Sequence, residues 1–370
     1  MKNTLYALFI LVFAPVLLNG QPCTGPITLT TQTEVDNFNC TSVTGELVIG
    51  SEFGPATNAI TNLDGLAGLT TVGRLVIGYN SDLNDLSGLS DLESVDELTI
   101  IGNASLSSLE DLSSLTTINT ILSIDGNPML SSLAGLENLS TLDALSLNAN
   151  FTLSDISALA GFTSIPGGIF LQSNALSSLN GLQNLVSVGD LSIINEPLSD
   201  LDELTNLTSA GSLLIQVNPN LTNLDGLQNL TTVDNSDENF GFETIYIRNN
   251  PSLTNIDGLQ NVTTFTGVGD MMTPAILIDD NPQLNDFCGL FPVIDDRSET
   301  VLFYRVEGNG SDPSQQDILN NGVCTRILPT SDEEPPVASQ DLPLLPKGYL
   351  MLLLGVMSLS GILAIYRLSN

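Results

Sequence analysis

The chain has 370 residues, with 42 acidic and 8 basic side chains, no His, no Trp and a formal net charge of −34. A surface this acidic repels phosphate backbones, which argues against nucleic acid as a partner. The missing His removes His general bases, Ser-His-Asp and Cys-His pairs and His ligands for zinc, while 42% apolar content suffices for a core.

Residues 1–20 read as a secretory signal peptide, with Lys2 ahead of the apolar run Leu5–Leu18 and a cut after Gly20. Residues 21–46 form an N-terminal cap. All 42 acidic residues lie between the two hydrophobic ends, together with only five basic ones: Arg74, Arg248, Arg297, Arg305 and Arg326. Residues 75–247 hold no Lys or Arg, so hydration and self-repulsion rather than ion-pair networks are expected to keep the body soluble. Cys23 and Cys40 precede the central repeats, and Cys288 and Cys324 follow them. Four cysteines suit an oxidising compartment and allow three connectivities. Local pairing, Cys23 with Cys40 and Cys288 with Cys324, would seal each end. A metal site would lack both C-x-x-C spacing and His.

Residues 47–287 are built from a repeat. One unit runs Leu75-Val-Ile77-Gly-Tyr-Asn80, then Leu83, Leu86, Leu89, Leu92 and Val95; the next starts at Leu98. Others start at Leu47, Leu122, Leu145, Ile169, Leu191, Leu213, Ile245 and Ile276, ten in all, 22–24 residues apart where nothing is inserted. Leu-x-Ile alternates with period two, which predicts a short strand with one buried face. The apolar residues that follow at every third position suit tight 3₁₀-like turns or short extended segments better than a regular helix. Gly65, Gly88, Gly135, Gly181, Gly226 and Gly258 recur there, suited to a tight bend or a positive φ. Asn80, Asn103, Asn127, Asn150, Asn174, Asn218, Asn250 and Asn281 fall at one position after the strand, with Glu196 breaking the column. Such a column predicts a buried ladder that satisfies loop backbone between coils. No unit can bury its apolar side alone, so neighbours must.

The pattern L-x-I-x-x-N-x-x-L-x-x-L-x-G-L-x-x-L-x-x-V resembles the leucine-rich-repeat superfamily. It is similar above all to receptor L-domain-like repeats of secreted bacterial proteins, and more distantly to internalin-type repeats. The resemblance spans about residues 22–326, including an opening around Thr33-Glu-Val-Asp36 and a closing around Asn281-Pro-Gln-Leu-Asn-Asp-Phe-Cys288. It implies a repeat solenoid, a right-handed parallel β-solenoid with a disulfide at each cap, and protein or glycan ligands. The C-terminal cap, residues 288–327, predicts a helix with Asp312 as N-cap, Pro313 at its first position, Gln315 in a capping box and Gly322 at its end. Ile318 and Leu319 would face the last coil.

Two units carry insertions, Asp234 to Glu243 and Thr266 to Ala275. Asp234, Asp237, Glu238 and Asp270 are the candidate ligands for calcium there, although the spacing is not that of an EF-hand and a solvated acidic loop is the plainer reading. The middle strand position points away from the core. In the second half of the chain this face gathers Phe170, Gln172, Leu214, Gln216, Tyr246 and Arg248, a set suited to recognition, against ordinary strand propensity as the plainer reading. Nine N-x-S/T sequons occur, among them Asn39, Asn103, Asn150, Asn206 and Asn309; two are ladder positions, so they are read as repeat composition rather than glycosylation. No phosphate loop, cofactor fingerprint or distinguished carboxylate pair marks an enzyme.

Residues 328–346 form an acidic, Pro-rich stalk. In the segment 347–370, Gly348–Tyr366 is an uncharged run of 19 residues, enough for about 28 Å of helix, flanked by Lys347 and Arg367. It is expected to be a single transmembrane helix with the body outside. Leu342-Pro343-Leu344-Leu345 resembles the I-P-T-L box of bacterial sorting tails without its Thr. The sequence therefore points to a membrane-tethered, non-catalytic binding or adhesion protein of a bacterial surface. A structural coat or spacer without a specific ligand is the alternative.

Overall fold

The computed structural model describes residues 20–54, 60–234, 244–266, 275–295 and 304–321. One parallel sheet runs the length of these residues. Its main row pairs Ile27–Leu29 with Leu47–Ile49, and then in constant register Leu75, Leu98, Leu122, Leu145, Ile169, Leu191, Leu213, Ile245, Ile276 and Tyr304. The row thus continues past the repeat at both ends, into each cap. A second, shorter row forms at the last apolar residue of the unit: Val72, Val95, Ile118, Ile165, Val188, Ala210, Val233 and Phe265. Between the rows the chain makes short 3₁₀ turns such as Ser87–Leu89, Glu110–Leu112, Asp225–Leu227 and Asp257–Leu259.

The core is a stack of leucine columns. Leu83, Leu86, Leu89 and Leu92 of one coil are fully buried, as are Leu106, Leu109, Leu112 and Leu115 of the next. A three-residue spacing keeps them on one side of a 3₁₀ turn, and each such side chain removed from water contributes about 1.5–3 kcal/mol.

The turn glycines serve close stacking more than backbone freedom. A Cβ on Gly88 would lie 1.7 Å from the Leu63 carbonyl oxygen of the preceding coil, and one on Gly226 would lie 1.8 Å from that of Leu201. Gly181 combines both demands, with φ +120° and a Cβ position 2.1 Å from the Ile156 oxygen. The loop after the strand is left-handed in nearly every coil, and seven non-glycine residues accept that conformation, Tyr79, Ala149 and Val217 among them.

The asparagine ladder is present and buried. Asn103 Oδ1 accepts the Asn80 backbone N–H (3.1 Å), and Asn103 Nδ2 donates to the Ile77 carbonyl (2.9 Å). The same pair of contacts recurs at Asn127, Asn150, Asn250 and Asn281. Asn309, in the C-terminal cap, adds a further rung by accepting from Asn281 N and donating to Ile278 O.

Both caps are built as closures. Cys23 is bonded to Cys40; Cys288 is buried, and Cys324 lies outside the described residues. Helix Gln32–Asp36 carries a capping box between Thr31 and Glu34. At the other end the expected role of Asp312 changes. Its carboxylate accepts from Gly308 N and from Asn309 N and Nδ2, terminating the ladder instead of capping a helix. Ser314 caps helix Gln315–Asn321, exchanging bonds with Asp317. Among the described residues no coil follows the last rung, and a carboxylate supplies the acceptor there. Ile318 is buried and Leu319 packs against the core, as expected. Gly322, residues 1–19, the stalk and the Gly348–Tyr366 segment lie outside the described residues, among which no helix is long and apolar enough to cross a membrane.

Gly88→Ala is expected to force the coils starting at Leu47 and Leu75 apart, costing at least about 2–3 kcal/mol by overpacking. Ser87→Ala beside it should change stability by less than about 1 kcal/mol. Chemical denaturation of the two variants measures the difference.

Candidate functional site

Residues on the outward side of the sheet are set by register. Phe170, Ser192, Leu214, Tyr246 and Leu277 form one line across adjacent strands; Gln172, Ile194, Gln216, Arg248 and Asp279 form the next. Leu214 and Tyr246 are therefore direct neighbours, as are Gln216 and Arg248. Phe170 and Gln172 stand one intervening strand further back. The patch is less open than an outward column suggests: Phe170, Gln172, Leu214 and Arg248 are partly exposed, whereas Gln216 and Tyr246 are each 7% exposed. The bland first half of the column, Val76, Thr99, Ser123 and Ser146, is buried as well. Parallel strands about 4.8 Å apart hold flanking side chains against one another.

Arg248 organises this region. Its Nη1 donates to the Tyr246 hydroxyl (3.3 Å) and its Nη2 to Asp280 Oδ2 (3.2 Å). Its Nε lies 3.2 Å from Asp279 Oδ1, yet the two are not aligned as a hydrogen bond, and each atom is buried without a hydrogen-bond partner. Burial works against the Arg248 charge, but Tyr246, Asp279 and Asp280 hold its pKa above the ordinary value. Asp279 is 4% exposed, and burial pushes its carboxyl up to about 6 despite the attraction of Arg248. Arg305, one strand on, pairs with Glu307.

Arg74 gives the contrast. Its Nη1, Nη2 and Nε donate to Glu46, Glu52 and Glu97 respectively, and Glu46, Arg74 and Glu97 share a register line. Three carboxylates close this guanidinium, whose pKa rises against the opposing effect of burial. The body thus contains a local ion-pair cluster that the scarcity of basic residues did not suggest. Pairing in register was the signal: acidic residues stand directly opposite on both neighbouring strands. The same signal points to Asp279 opposite Arg248.

Of the candidate calcium ligands, Asp237, Glu238 and Asp270 lie outside the described residues, and Asp234 accepts a hydrogen bond from Thr266 of the adjacent coil. A different group brings possible ligand atoms within 4.8 Å of one another: Asp257, Asp286 and Cys288. Within it, Asp286 Oδ1 already accepts the Cys288 backbone N–H (3.0 Å), as in an ordinary turn.

Several sequon asparagines are structural. Asn138, Asn206, Asn229 and Asn261 donate their side-chain amides to carbonyls of Ser113, Gln183, Thr205 and Gln228 in the preceding coil. Threonines two residues after these asparagines do the same, Thr208 to Val186 O and Thr231 to Thr208 O. The motif N-L-T is a second inter-coil ladder, set immediately before the second strand row.

The repeat, the parallel register and the ladder agree with comparison to known proteins. Residues 188–293 match the Receptor L domain. The matched segment contains Leu214, Gln216, Tyr246 and Arg248. No curated protein matches the chain. Similar solved structures include an internalin of Listeria monocytogenes, 20% identical, with a TM-score of 0.46 over 74% of this chain and 68% of that one. Another is the TLR13-ssRNA13 complex, 14% identical, with a TM-score of 0.24 over 77% of this chain and 60% of that one.

Asp279 makes stability depend on pH. Its folded pKa, about 6, lies above the ordinary carboxylate value of about 3.9. The ionised form is therefore penalised in the fold: the penalty is full above pH ~6 and fades as pH falls toward ~4. Lowering the pH from 7.5 to 5 should raise the melting temperature, and Asp279→Asn should show a smaller rise, the difference amounting to roughly 1–3 kcal/mol. Equal pH responses in the two proteins would contradict the assignment.

Proposed function

We propose that the protein is a non-catalytic binding or adhesion module of the cell surface, and that its outward sheet face around Arg248 recognises an extracellular protein or glycan. One observation carries this reading. Of the two guanidiniums on the described sheet that meet several carboxylates, Arg74 is closed by three of them, whereas Arg248 keeps an Nε without a hydrogen bond beside a carboxylate oxygen in the same condition. Buried groups in that state favour a ligand that completes them. Leu214, Gln216 and Tyr246 supply apolar area, an amide and an aromatic ring next to them, a mixture common at interface centres. The match to the Receptor L domain over residues 188–293 supports the same segment.

Secretion by residues 1–20 and tethering by residues 347–370, beyond the acidic stalk, belong to this reading. Calcium held by Asp234, Asp237, Glu238 and Asp270 belongs to this reading as well. The competing reading, a hydrated coat without a ligand, draws on the acidity of the body.

A screen of the chain lacking residues 1–20 and 347–370 against extracellular proteins and glycans, with and without calcium, tests these readings. Saturable binding is expected, weakened at least about tenfold by Arg248→Ala and little changed by Phe151→Ala on the exposed loop edge. No ligand, together with formation of an ordered coat, would favour the coat. A melting temperature indifferent to calcium would remove the loop site.

A further inference from the structure

Glu196 replaces asparagine in the ladder, and the reason lies in the coil before it. Regular coils read Asn-x-x-Leu after the strand, as in Asn150-Phe-Thr-Leu153, but two consecutive coils are one residue shorter: Asn174-Ala-Leu176 and Glu196-Pro-Leu198. In six regular coils the leucine N–H returns to the asparagine carbonyl at 2.9–3.1 Å, at Leu83, Leu106, Leu130, Leu153, Leu253 and Leu284. In the short coil Leu176 N–H goes instead to Glu196 Oε2 (3.2 Å). Glu196 Oε1 performs the usual ladder duty, accepting from Asn174 N (2.9 Å) and Nδ2 (2.8 Å). The longer side chain and its second oxygen thus meet the amide that the shortened loop releases.

The replacement has a counterpart on the donor side. Asn174 Nδ2 donates to Leu147 O and Asn218 Nδ2 to Ile193 O. By the same step, the rung at 196 should donate to Leu171 O, and no side chain among the described residues does so. An ionised carboxylate has no hydrogen to give. Glu196 is nonetheless fully buried.

We propose that the joint between the coils starting at Ile169 and Leu191 is strengthened by acid, because a proton taken from solvent by Glu196 supplies the O–H donor that the ladder lacks at Leu171. Protonation converts the carboxylate to a carboxylic acid that still accepts from Asn174 and Leu176 and gains one donor. Its surroundings favour that form. Burial raises the Glu196 pKa, opposed only by hydrogen bonds from Asn174 and Leu176. The flanking coils turn Asn174, Leu176 and Asn218 toward it, none of them charged. Because the folded value is raised, the strengthening sets in as pH falls through it and is complete near the ordinary value of about 4.3. At neutral pH the joint is the weak point of an otherwise continuous amide ladder.

Hydrogen exchange of the full-length chain in detergent micelles, at pH 7.5 and 5.0 and corrected for intrinsic rates, tests this. The expected result is a rise in protection of about fivefold or more for Asn174, Leu176 and their neighbours at pH 5.0, exceeding any rise across residues 98–150. Glu196→Gln should abolish that local excess. Because Gln also turns an N–H toward Leu176, a second variant guards against misfolding: Glu196→Asn with one residue inserted between Ala175 and Leu176, which restores the regular coil and should also lose the local pH response. A uniform pH effect along the chain, or a local excess that survives in either variant, would overturn the proposal.

Discussion

The constraint on which the structure depends is that each coil must satisfy its loop backbone from the coil beside it. A solenoid coil of 22–24 residues has too little length to close its own hydrogen bonds. The buried asparagine supplies what is missing, because one amide both accepts a backbone N–H and donates to a carbonyl across the gap. That exchange sets the stacking distance, and the stacking distance sets much else. It leaves no room for a Cβ at Gly88 or Gly226, and it brings the leucine columns into contact. It also makes the N-L-T motif useful, where a second amide and a hydroxyl donate to carbonyls of the preceding coil. The ladder needs an end, and Asp312 provides it.

A cohesion made of neutral amides explains how so acidic a chain can fold. The asparagine bonds between coils carry no net charge, so most of the acidic residues need no cationic partner. Two of the guanidiniums on the described sheet meet several acids, and they differ in outcome. Arg74 is spent on tying three coils together. Arg248 ties Asp280 and Tyr246, and its Nε pairs with Asp279 Oδ1 by charge at 3.2 Å without an aligned hydrogen bond.

Strand positions, buried leucines and ladder asparagines were legible in the sequence because each is imposed once per coil, so that repetition exposes it. What occurs once was harder to read. The trio around Arg74 required knowing which strand faces which, and Glu52 sits outside the strand altogether. Asp312 carries a good helix-capping sequence, and only the presence of Asn309 as an extra rung shows that its carboxylate is needed elsewhere. The outward column was expected to be open, but register places flanking side chains against Gln216 and Tyr246. Glu196 could be seen to interrupt the asparagines, yet its meaning depended on counting the missing residue in the coil before it.

These cases suggest how to separate structural from functional departures in a repeat protein. A departure whose every polar atom is answered inside the stack is explained by the stack. Glu196 comes close to that: both oxygens are used, and the one unmet requirement is an internal donor. Its consequence should therefore be felt inside the solenoid, as a joint that responds to acid. Arg248 departs from a face without positive charge over residues 75–247, and its unmet groups lie on the outward side of the sheet, where no later coil can complete them. Its consequence should be felt outside the solenoid. The same accounting makes Asp257 and Asp286 weaker candidates, since Asp286 is already engaged by its own turn. On the proposed reading, it is the region around Arg248 on the outward face, rather than the acidic loops, where binding is to be sought.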